Sequence, residues 1–399
     1  MKIIQINATC DTGSTGKICK SVSELLSQKG IENYIFYTQG KSTYSCGIKY
    51  ENDVELLIYK VISKLTGLYG FGAHYATKKL LKKIERIKPD IIHLHNIHAH
   101  NINLELLFTY IKENRIKCYW TFHDCWAFTG YCTHFTMLKC EKWKSQCYEC
   151  ELRKKYSWLF DRSKTLYIKK RDLVKGVDME IITPSEWLAK IVKDSFFSKY
   201  PVKVINNGID ISVFRPRQNE IRECYNIKQN IKIVLGVAFG WDSRKGLDVF
   251  IELSSRLESD KYRIILVGTN KKIDSLLPPN IISIHRTNNQ IELAELYSAA
   301  DVFVNPTREE NYPTVNMEAI SCGTPVITFN TGGSPEMLDS KVGLVVNCDD
   351  INSMEQGIRD ICNGASLDLD VFFKKASEFE AKKCFEKYLN LYENQEKNC

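Results

Sequence analysis

The sequence predicts an α/β protein in which two doubly wound parallel sheets form two domains. Three observations support this prediction. The chain has 399 residues, which is too long for one ordinary domain. Residues 301–333 contain an apolar run, a polar loop, a short helix and a second apolar run, as expected for a parallel sheet unit. A strand followed by a Gly-containing loop occurs at Lys2 and again at Ile231.

The composition is that of an ordinary globular protein. Hydrophobic residues make up 44% of the chain and charged residues 26%, which argues against disorder. The N-terminal MKIIQINATC is interpreted as a strand and not as a signal peptide, and no run reaches the roughly 18 apolar residues that span a bilayer. We therefore expect a cytoplasmic protein, in which most of the fifteen cysteines are free thiols.

The first element is a buried strand at residues 2–6, and the loop NATCDTGSTGK leads from it into a helix that ends near Lys29. A Gly-rich loop between a strand and a helix often binds phosphate. This loop is not a P-loop, because Asp11 occupies the first glycine position and Ile18 replaces the required Ser or Thr. Gly13 and Gly16 either face a ligand or supply the backbone angles of a tight turn.

Residues 54–71 combine apolar residues with spaced lysines and precede a basic helix. This pattern favours a buried helix pair over a helix that lies in a membrane surface. The strand at 90–95 follows, and histidines occupy positions 93, 95, 98 and 100. Because they alternate along the strand and no acid is near in sequence, they favour packing or a hydrogen-bonding site at the strand's carboxyl end over a metal site.

The next strand, residues 117–122, carries His123 and Asp124 to the same edge of the predicted sheet. A cysteine-rich insertion at about 125–150 comes after it. Cys147 and Cys150 have the spacing of a zinc knuckle, and Cys132 and Cys140 can complete a tetrahedral set. A structural zinc ion and unpaired thiols are the two alternatives for this insertion, and a catalytic metal is not expected.

Positive charge is concentrated in one stretch of the chain. Twelve Lys or Arg residues lie between Lys139 and Lys175, whereas the net charge of the whole chain is +7. The stretch is either a solvated face or a surface that attracts anionic lipid head groups or an anionic acceptor. Nucleic acid is not an expected partner, because no nucleic-acid-binding motif accompanies the charge.

The predicted first domain ends at residue 205, a linker spans 206–216, and the second domain covers 217–371. The first strand of the second domain is Ile231–Gly236. The loop after this strand, GVAFGWDSRKG, places Arg244 and Lys245 at the start of a helix. Two cations beside free amide groups suit a diphosphate, although two solvated loop charges would look the same in sequence.

The strongest candidate site lies in residues 301–333. A helix is predicted at Thr314–Ser321, between two strands. Glu310 ends the preceding loop, and Glu318 lies eight residues later, about two turns into the helix. Pro313 suits the first helical position, and the amide groups after it form a weakly positive anion site. A phosphate can bind there, between two carboxylates that accept hydrogen bonds from hydroxyl groups.

The segment EENYPTVNMEAISCGTPVI resembles the E-x7-E motif of the retaining glycosyltransferases of family 4, with Glu310 and Glu318 as the two acids. HDCWAFTGYCTHF and KWKSQCYEC resemble the colanic acid and capsular polysaccharide branch of that family. NNGIDISVFRP resembles its interdomain connection. The resemblance covers nearly the whole chain and implies the GT-B fold, in which two Rossmann-like domains face a central cleft and a C-terminal helix, here 372–399, crosses back to the first domain.

The resemblance also implies roles for the candidate residues. His123 and Glu310 are implied to be catalytic. The implied donor-binding residues are Gly16, Arg244, Lys245, Asn311, Tyr312, Thr314 and Glu318. Gly13 and Asp124 are implied to lie on the acceptor side. Phe239 stands where many relatives have an arginine, so we expect Arg244 to replace it at the diphosphate.

The implied reaction moves a sugar, with retention, from a nucleotide-diphosphate sugar to a saccharide acceptor. The expected acceptor is lipid-linked and belongs to exopolysaccharide, capsule or O-antigen assembly, with the enzyme at the inner face of the cell membrane. No cofactor is expected for catalysis, because no Asp-x-Asp follows a strand. The alternatives are a sugar-nucleotide epimerase of the same fold, a non-catalytic nucleotide-sugar-binding module stabilised by zinc, and a zinc-dependent interaction protein.

Overall fold

The computed structural model describes residues 1–98, 100–364 and 368–396, with side chains described up to Glu393 at the C-terminal end. The chain forms two compact units. The N-terminal unit contains residues 1–206 and the segment from Phe385 onward, and the C-terminal unit contains residues 207–384. Each unit has one parallel sheet with helices on both faces, so the predicted pair of doubly wound Rossmann-like folds is confirmed.

The N-terminal unit has a seven-stranded sheet in the order β3-β2-β1-β4-β5-β6-β7. Its central strands are short, mostly apolar runs that are buried on both faces, as parallel sheets covered by helices require, whereas the edge strands are partly exposed. In chain order they are β1 (Lys2–Ile6), β2 (Glu32–Tyr37), β3 (Gly47–Lys49), β4 (Ile91–Leu94), β5 (Lys117–Thr121), β6 (Met179–Thr183) and β7 (Val202–Val204). The helices are α1 (Gly13–Gln28), α2 (Asp53–Thr66), α3 (His74–Ile87), α4 (Leu104–Glu113), α5 (Arg153–Tyr156), α6 (Ser163–Val174) and α7 (Glu186–Lys193).

The C-terminal unit has a six-stranded sheet in the order β10-β9-β8-β11-β12-β13. Its strands are β8 (Lys232–Val237), β9 (Tyr262–Val267), β10 (Ile281–Ile284), β11 (Val302–Asn305), β12 (Val326–Phe329) and β13 (Gly343–Val346). Its helices are α8 (Ile221–Cys224), α9 (Leu247–Arg256), α10 (Lys271–Asp274), α11 (Gln290–Ala299), α12 (Thr314–Ser321), α13 (Ile351–Asn363) and α14 (Leu369–Ala376). Helix α15 (Ala381–Glu396) begins in this unit and continues into the N-terminal unit.

The predicted linker at 206–216 is not a free connection. Ile209 and Phe214 are buried in the core of the C-terminal unit. The Ile209 N–H donates to the carbonyl of Phe379 over 2.8 Å, and its own carbonyl accepts from the Ala381 N–H over 2.9 Å. The boundary therefore falls between residues 206 and 207, because the apolar side chains of this stretch find a core on one side only.

The predicted C-terminal crossover helix at 372–399 is also corrected. Helix α14 ends at Ala376, and α15 starts only at Ala381. The break occurs where Phe379 is buried in the core of the C-terminal unit. From Phe385 onward the chain belongs to the N-terminal unit, where the Tyr392 hydroxyl lies 2.5 Å from His93 Nδ1. The last three residues of the predicted helix lie outside the described part of the chain.

Helix α2 departs from the predicted buried pair. It begins with a capping box formed by Asn52 and Glu55 and ends at Gly67, whose φ of 72° suits a glycine. Ser63 is its one buried residue, Tyr59 packs partly against the core, and most of its other apolar side chains are exposed. In the parts of the chain that the structure covers, no helix combines the length and the apolar character that crossing a membrane requires.

Candidate active site

The order of the strands in the C-terminal unit reverses between β8 and β11. In parallel sheets of this kind, ligands bind outside the carboxyl ends of the strands at such a reversal. The loop after β8, residues 238–246, and the loop after β11, residues 306–313, meet there, because the Arg308 N–H donates to the Arg244 carbonyl over 2.8 Å. The sheet topology thus selects two loops that the sequence also singled out.

Two predicted donor-binding residues and the predicted catalytic Glu310 lie in these loops. Lys245 Nζ lies 2.5 Å from Glu310 Oε2, and about one fifth of each side chain is exposed. Arg244 donates from Nη1 to the carbonyl of Glu309 over 3.4 Å. The structure therefore places Lys245 against Glu310 and Arg244 against its neighbour Glu309, whereas Phe239 is fully exposed to solvent.

Arg308 fixes the loop that carries Glu310. Its guanidinium bonds both carboxylate oxygens of Asp248, over 2.8 and 2.7 Å, and Asp349 over 2.7 Å. The hydrogen bonds to Asp248 are the main reason why the pKa of Arg308 is raised above its usual range. Local sequence patterns do not single out Arg308, because its two acidic partners lie 60 and 41 residues away in the chain.

Gly332, in the loop after β12, packs against the backbone of Glu310. It has a φ of +57°, and a Cβ built on it would lie 1.7 Å from the Glu310 carbonyl oxygen. The Gly333 N–H donates to the Asn311 carbonyl over 2.8 Å. Gly332 and Gly333 together therefore hold residues 310 and 311 in place.

Helix α12 begins at Thr314, as predicted, with Pro313 one residue ahead of the first helical position. Glu318 Oε2 accepts a hydrogen bond from the Tyr297 hydroxyl over 3.1 Å. Burial, followed by the charge of Glu318, raises the pKa of Tyr297 well above its usual value, so the phenol is a neutral donor. Asn311 and Tyr312 are buried as whole residues, and the carbonyl of Asn311 accepts the Gly333 N–H, so donor binding by these two residues stays a prediction.

In the N-terminal unit the strand order reverses between β1 and β4. Asn7 follows β1, and its Oδ1 accepts from the Asn96 N–H over 3.0 Å. Gly13 has a φ of +69° and open space around it, whereas a Cβ on Gly16 would lie 2.6 Å from Thr9 Oγ1. Gly16 thus allows the loop to pack closely against α1, and a donor contact by this residue stays a prediction.

A chain of hydrogen bonds sets the tautomer of His123. The Gln5 amide nitrogen donates to the Cys19 carbonyl over 3.0 Å, which turns Gln5 Oε1 toward His95 Nε2 at 3.2 Å. The proton of a neutral His95 therefore lies on Nε2, and His95 Nδ1 accepts from His123 Nε2 at 3.1 Å. Burial lowers the pKa of His123 to about 4, so its ring is neutral at pH 7 with Nδ1 as the acceptor.

Asp124 is occupied by groups of its own unit. Its two oxygens accept from His98 Nε2 and from the Trp126 N–H, each over 2.8 Å. Burial acts to raise the pKa of Asp124, but His98 and the other nearby groups lower it overall. The structure thus gives Asp124 a role in ordering the loop after β5, and its predicted place on the acceptor side stays a prediction.

Lys170 is a buried cation that the sequence did not distinguish from its solvated neighbours. It is 2% exposed, and its ammonium donates to the carbonyls of Trp126 and Thr129 over 2.7 and 2.9 Å. It also lies 3.7 Å from the centroid of the Trp126 ring. Burial lowers its pKa to about 7. Lys170 therefore secures the loop that follows His123 and Asp124.

The four thiols of the predicted zinc site lie against the same core, and two of them touch. Cys132 Sγ and Cys150 Sγ are 3.8 Å apart, whereas Cys147 Sγ accepts the Gly130 N–H over 3.2 Å. Cys140 packs at the edge of that core. Within residues 1–98, 100–364 and 368–396, no three His, Cys, Asp or Glu side chains are arranged to hold a metal ion. The structural zinc stays a prediction.

Comparison with known proteins identifies related chains. Residues 16–213 match the family described as Glycosyltransferase Family 4, and residues 231–363 match the family described as Glycosyl transferases group 1. An Escherichia coli (strain K12) protein named as a colanic acid biosynthesis glycosyl transferase, WcaC, is 24% identical over 421 residues, which cover 99% of this chain and 100% of that protein.

Solved structures show the same fold. Sucrose-phosphate synthase from Thermosynechococcus elongatus superimposes with a TM-score of 0.71 at 17% identity, with all of both chains covered. Anabaena HepE, solved in complex with UDP-glucose, gives a TM-score of 0.66 at 14% identity and covers 99% of this chain and 100% of its own. These neighbours confirm the predicted GT-B class.

Proposed function

Since the chain belongs to the family 4-type glycosyltransferases, we propose that it transfers a hexosyl group from a nucleotide-diphosphate sugar to a saccharide acceptor with retention of configuration. The similarity to a protein named for colanic acid biosynthesis supports an acceptor from exopolysaccharide, capsule or O-antigen assembly. The UDP-glucose bound by HepE supports a nucleotide sugar as the class of donor.

The contact between Lys245 and Glu310 is the observation that carries this proposal. Two opposite charges, each largely buried, lie 2.5 Å apart at the strand-order reversal where a ligand is expected. Leaving either charge unpaired in such a place is unfavourable. We infer that a bound diphosphate takes over the ammonium of Lys245 and thereby releases Glu310 to accept hydrogen bonds from the sugar.

The chemical task is to stabilise a departing diphosphate and an electron-poor sugar at the same time. Arg244 and Lys245 supply fixed positive charge, and the amide groups at the start of α12 add their dipoles. Glu318 is the residue that we assign to the ribose hydroxyls, and its hydrogen bond from Tyr297 supports a fixed carboxylate for this role. In front-face transfer the bond from C1 to the leaving oxygen breaks, the acceptor oxygen bonds to C1, and a phosphate oxygen takes the acceptor proton. Fixed charges and dipoles of this kind are the main source of catalysis.

Two further assignments belong to this proposal. His123, as a neutral imidazole, is the candidate of the N-terminal unit for a hydrogen bond to a sugar hydroxyl. Lys245 and Arg244 provide the positive charge that a divalent cation provides in other transferases, so no cofactor is required for catalysis. Transfer is therefore expected to continue in the presence of EDTA.

A thermal-shift screen tests the donor site first. Purified protein is melted with UDP, GDP, ADP and their common sugar conjugates, and a ligand that binds the folded state raises the melting temperature. We expect one nucleotide family to produce a shift and Glu318→Ala to lose it. No shift with any nucleotide in the wild-type protein would contradict the proposal.

Transfer assays with the selected donor test the catalytic residues. Glu310→Ala and Lys245→Ala should each reduce transfer by about two orders of magnitude or more, the usual effect of losing a main electrostatic contact. Lys272→Ala, an exposed lysine of the same unit, is the matched control and should leave transfer unchanged. Epimerisation of the donor without any acceptor would instead identify a sugar-nucleotide epimerase.

A further inference from the structure

Helix α2 carries a continuous apolar stripe that is open to solvent. Its members recur at intervals of three and four residues, which places them on one side of the helix. Their exposed fractions, 40% to 68%, are far above those of core residues. The stripe consists of Val54, Leu57, Ile58, Val61, Ile62 and Leu65. The opposite side holds the buried Ser63, so the helix rests on the protein by its less apolar face.

A second exposed apolar segment adjoins the end of this helix. Trp158, Leu159 and Phe160 are consecutive, and each is at least half exposed. The Trp158 N–H donates to the Lys64 carbonyl over 2.7 Å, which fixes the segment against the last turn of α2. We call the stripe of α2 together with residues 158–160 the apolar docking surface. Patches of this extent on a protein surface usually mark a site of interaction.

Cations surround the apolar docking surface. Lys60 and Lys64 lie one helical turn apart along the edge of the stripe. The ammonium group of Lys64 donates a hydrogen bond to the Lys155 carbonyl. Burial is the main reason why the pKa of Lys64 is lowered, and the nearby charges of Lys60 and Lys155 lower it further. Residues 153–155 add three cations just before the Trp158 segment, and the Arg162 guanidinium lies 5.3 Å from the Phe160 ring.

The nearby acids are directed elsewhere. Asp53 pairs with Lys49 at 2.8 Å, and Glu55 pairs with Lys79 at 2.8 Å. Asp161 accepts backbone N–H groups of Cys150 and Ser163. The rim of the apolar docking surface therefore keeps a clear excess of positive charge.

We propose that the apolar docking surface binds a membrane that contains anionic lipid. An amphipathic helix lying in the interface buries its apolar side at the boundary of the acyl chains, and its lysines extend to the phosphates. At 14 residues and about 1.5 Å per residue, α2 has a length suited to lying in the interface and not to spanning it. Trp158 has the amphipathic ring that is enriched at membrane interfaces. The charge of the rim selects a negatively charged lipid surface as the occupant.

Docking would place the N-terminal unit at the surface where a lipid-linked acceptor is found. This consequence rests on the proposed function, whereas the binding to lipid does not. Vesicle binding needs neither a sugar nucleotide nor an acceptor, so its failure and the failure of the transferase proposal are separate results.

Flotation with vesicles tests the surface directly. The full chain is mixed with vesicles of phosphatidylcholine alone or of phosphatidylcholine with phosphatidylglycerol. We expect binding to the mixed vesicles that weakens as salt is added. The double variant Leu57→Gln/Ile58→Gln should lower partitioning by about tenfold or more, because two side chains that enter the apolar layer become polar. Lys154→Gln/Lys155→Gln should reduce the preference for the anionic vesicles.

The matched control changes two equally exposed leucines of the C-terminal unit. Leu276→Gln/Leu369→Gln should bind vesicles as the wild-type protein does, since these residues lie outside the apolar docking surface. No wild-type binding to either vesicle, or equal losses in both double variants, would overturn the proposal. A wild-type dimer that Leu57→Gln/Ile58→Gln turns into a monomer would also overturn it, because the surface would then join two copies of the chain.

Discussion

Replacing Gly332 by alanine tests how the backbone positions Glu310. The glycine has a φ of +57°, in the left-handed region, and its Cα faces the carbonyl of Glu310. Two separate penalties follow from the substitution. A non-glycine residue in this conformation costs about 1–2 kcal/mol. The added Cβ would also collide with the Glu310 peptide.

The collision sets the size of the effect on activity. The Cβ would lie 1.7 Å from the Glu310 oxygen, and real Cβ atoms essentially never come closer than 3.0 Å, so the segments must separate by the difference of 1.3 Å. A displacement of about 1 Å in a catalytic group can reduce the rate by about 10²-fold. We therefore expect Gly332→Ala to reduce kcat by about that factor.

Gly30→Ala provides the matched control for backbone strain. Gly30 has a φ of +71°, but no atom lies within 4 Å of the added Cβ. This variant should lose stability alone, about 1–2 kcal/mol, and keep its transfer rate. Both variants are compared by melting temperature and by release of nucleoside diphosphate from the donor that the thermal-shift screen selects. If Gly332→Ala transfers sugar as fast as Gly30→Ala, the contact with Gly332 does not position Glu310.

Three other predictions follow from particular contacts. Tyr297→Phe removes the hydrogen bond to Glu318 and should raise the donor KM about tenfold with little change in kcat, as steady-state kinetics will show. Burial lowers the folded-state pKa of His93 to about 3 and that of His95 well below its usual value. The free energy of unfolding should therefore be highest above about pH 6.5 and should fall toward acid by up to about 1.4 kcal/mol per pH unit for each ring. Denaturant unfolding at several pH values measures this loss. Metal analysis should find about one zinc per chain in wild-type protein and none in Cys147→Ser; a metal-free wild type would contradict the zinc prediction.

Much of the fold could be predicted because it depends on local pattern. Short apolar runs, the glycines that end them and the spacing of the E-x7-E motif are all properties of neighbouring residues. Helix α12 was therefore placed correctly, from Thr314 to Ser321. The loops with Lys245 and Glu310 were also identified, and the order of the strands explains why they meet.

The errors concern contacts between residues that are distant in the sequence. An apolar helix looks the same whether its stripe faces a core or solvent, so α2 was assigned to a buried pair. Lys170 looked like one of twelve surface cations, because its carbonyl partners lie 44 and 41 residues away. His95 and Gln5 set the tautomer of His123 across three adjacent strands, and nothing in their local sequence indicates this.

The return of the chain at Phe385 has a consequence for how the protein is made. Tyr388 and Tyr392 are fully buried in the N-terminal unit, where they contact Thr121 and His93. The ribosome produces them only after residues 207–384, which make up the whole C-terminal unit. At about 5–20 residues per second, the interval is roughly 10–35 s. The unit translated first is therefore completed last, and until then His93 and Thr121 lack the tyrosine hydroxyls that bond them in the finished fold.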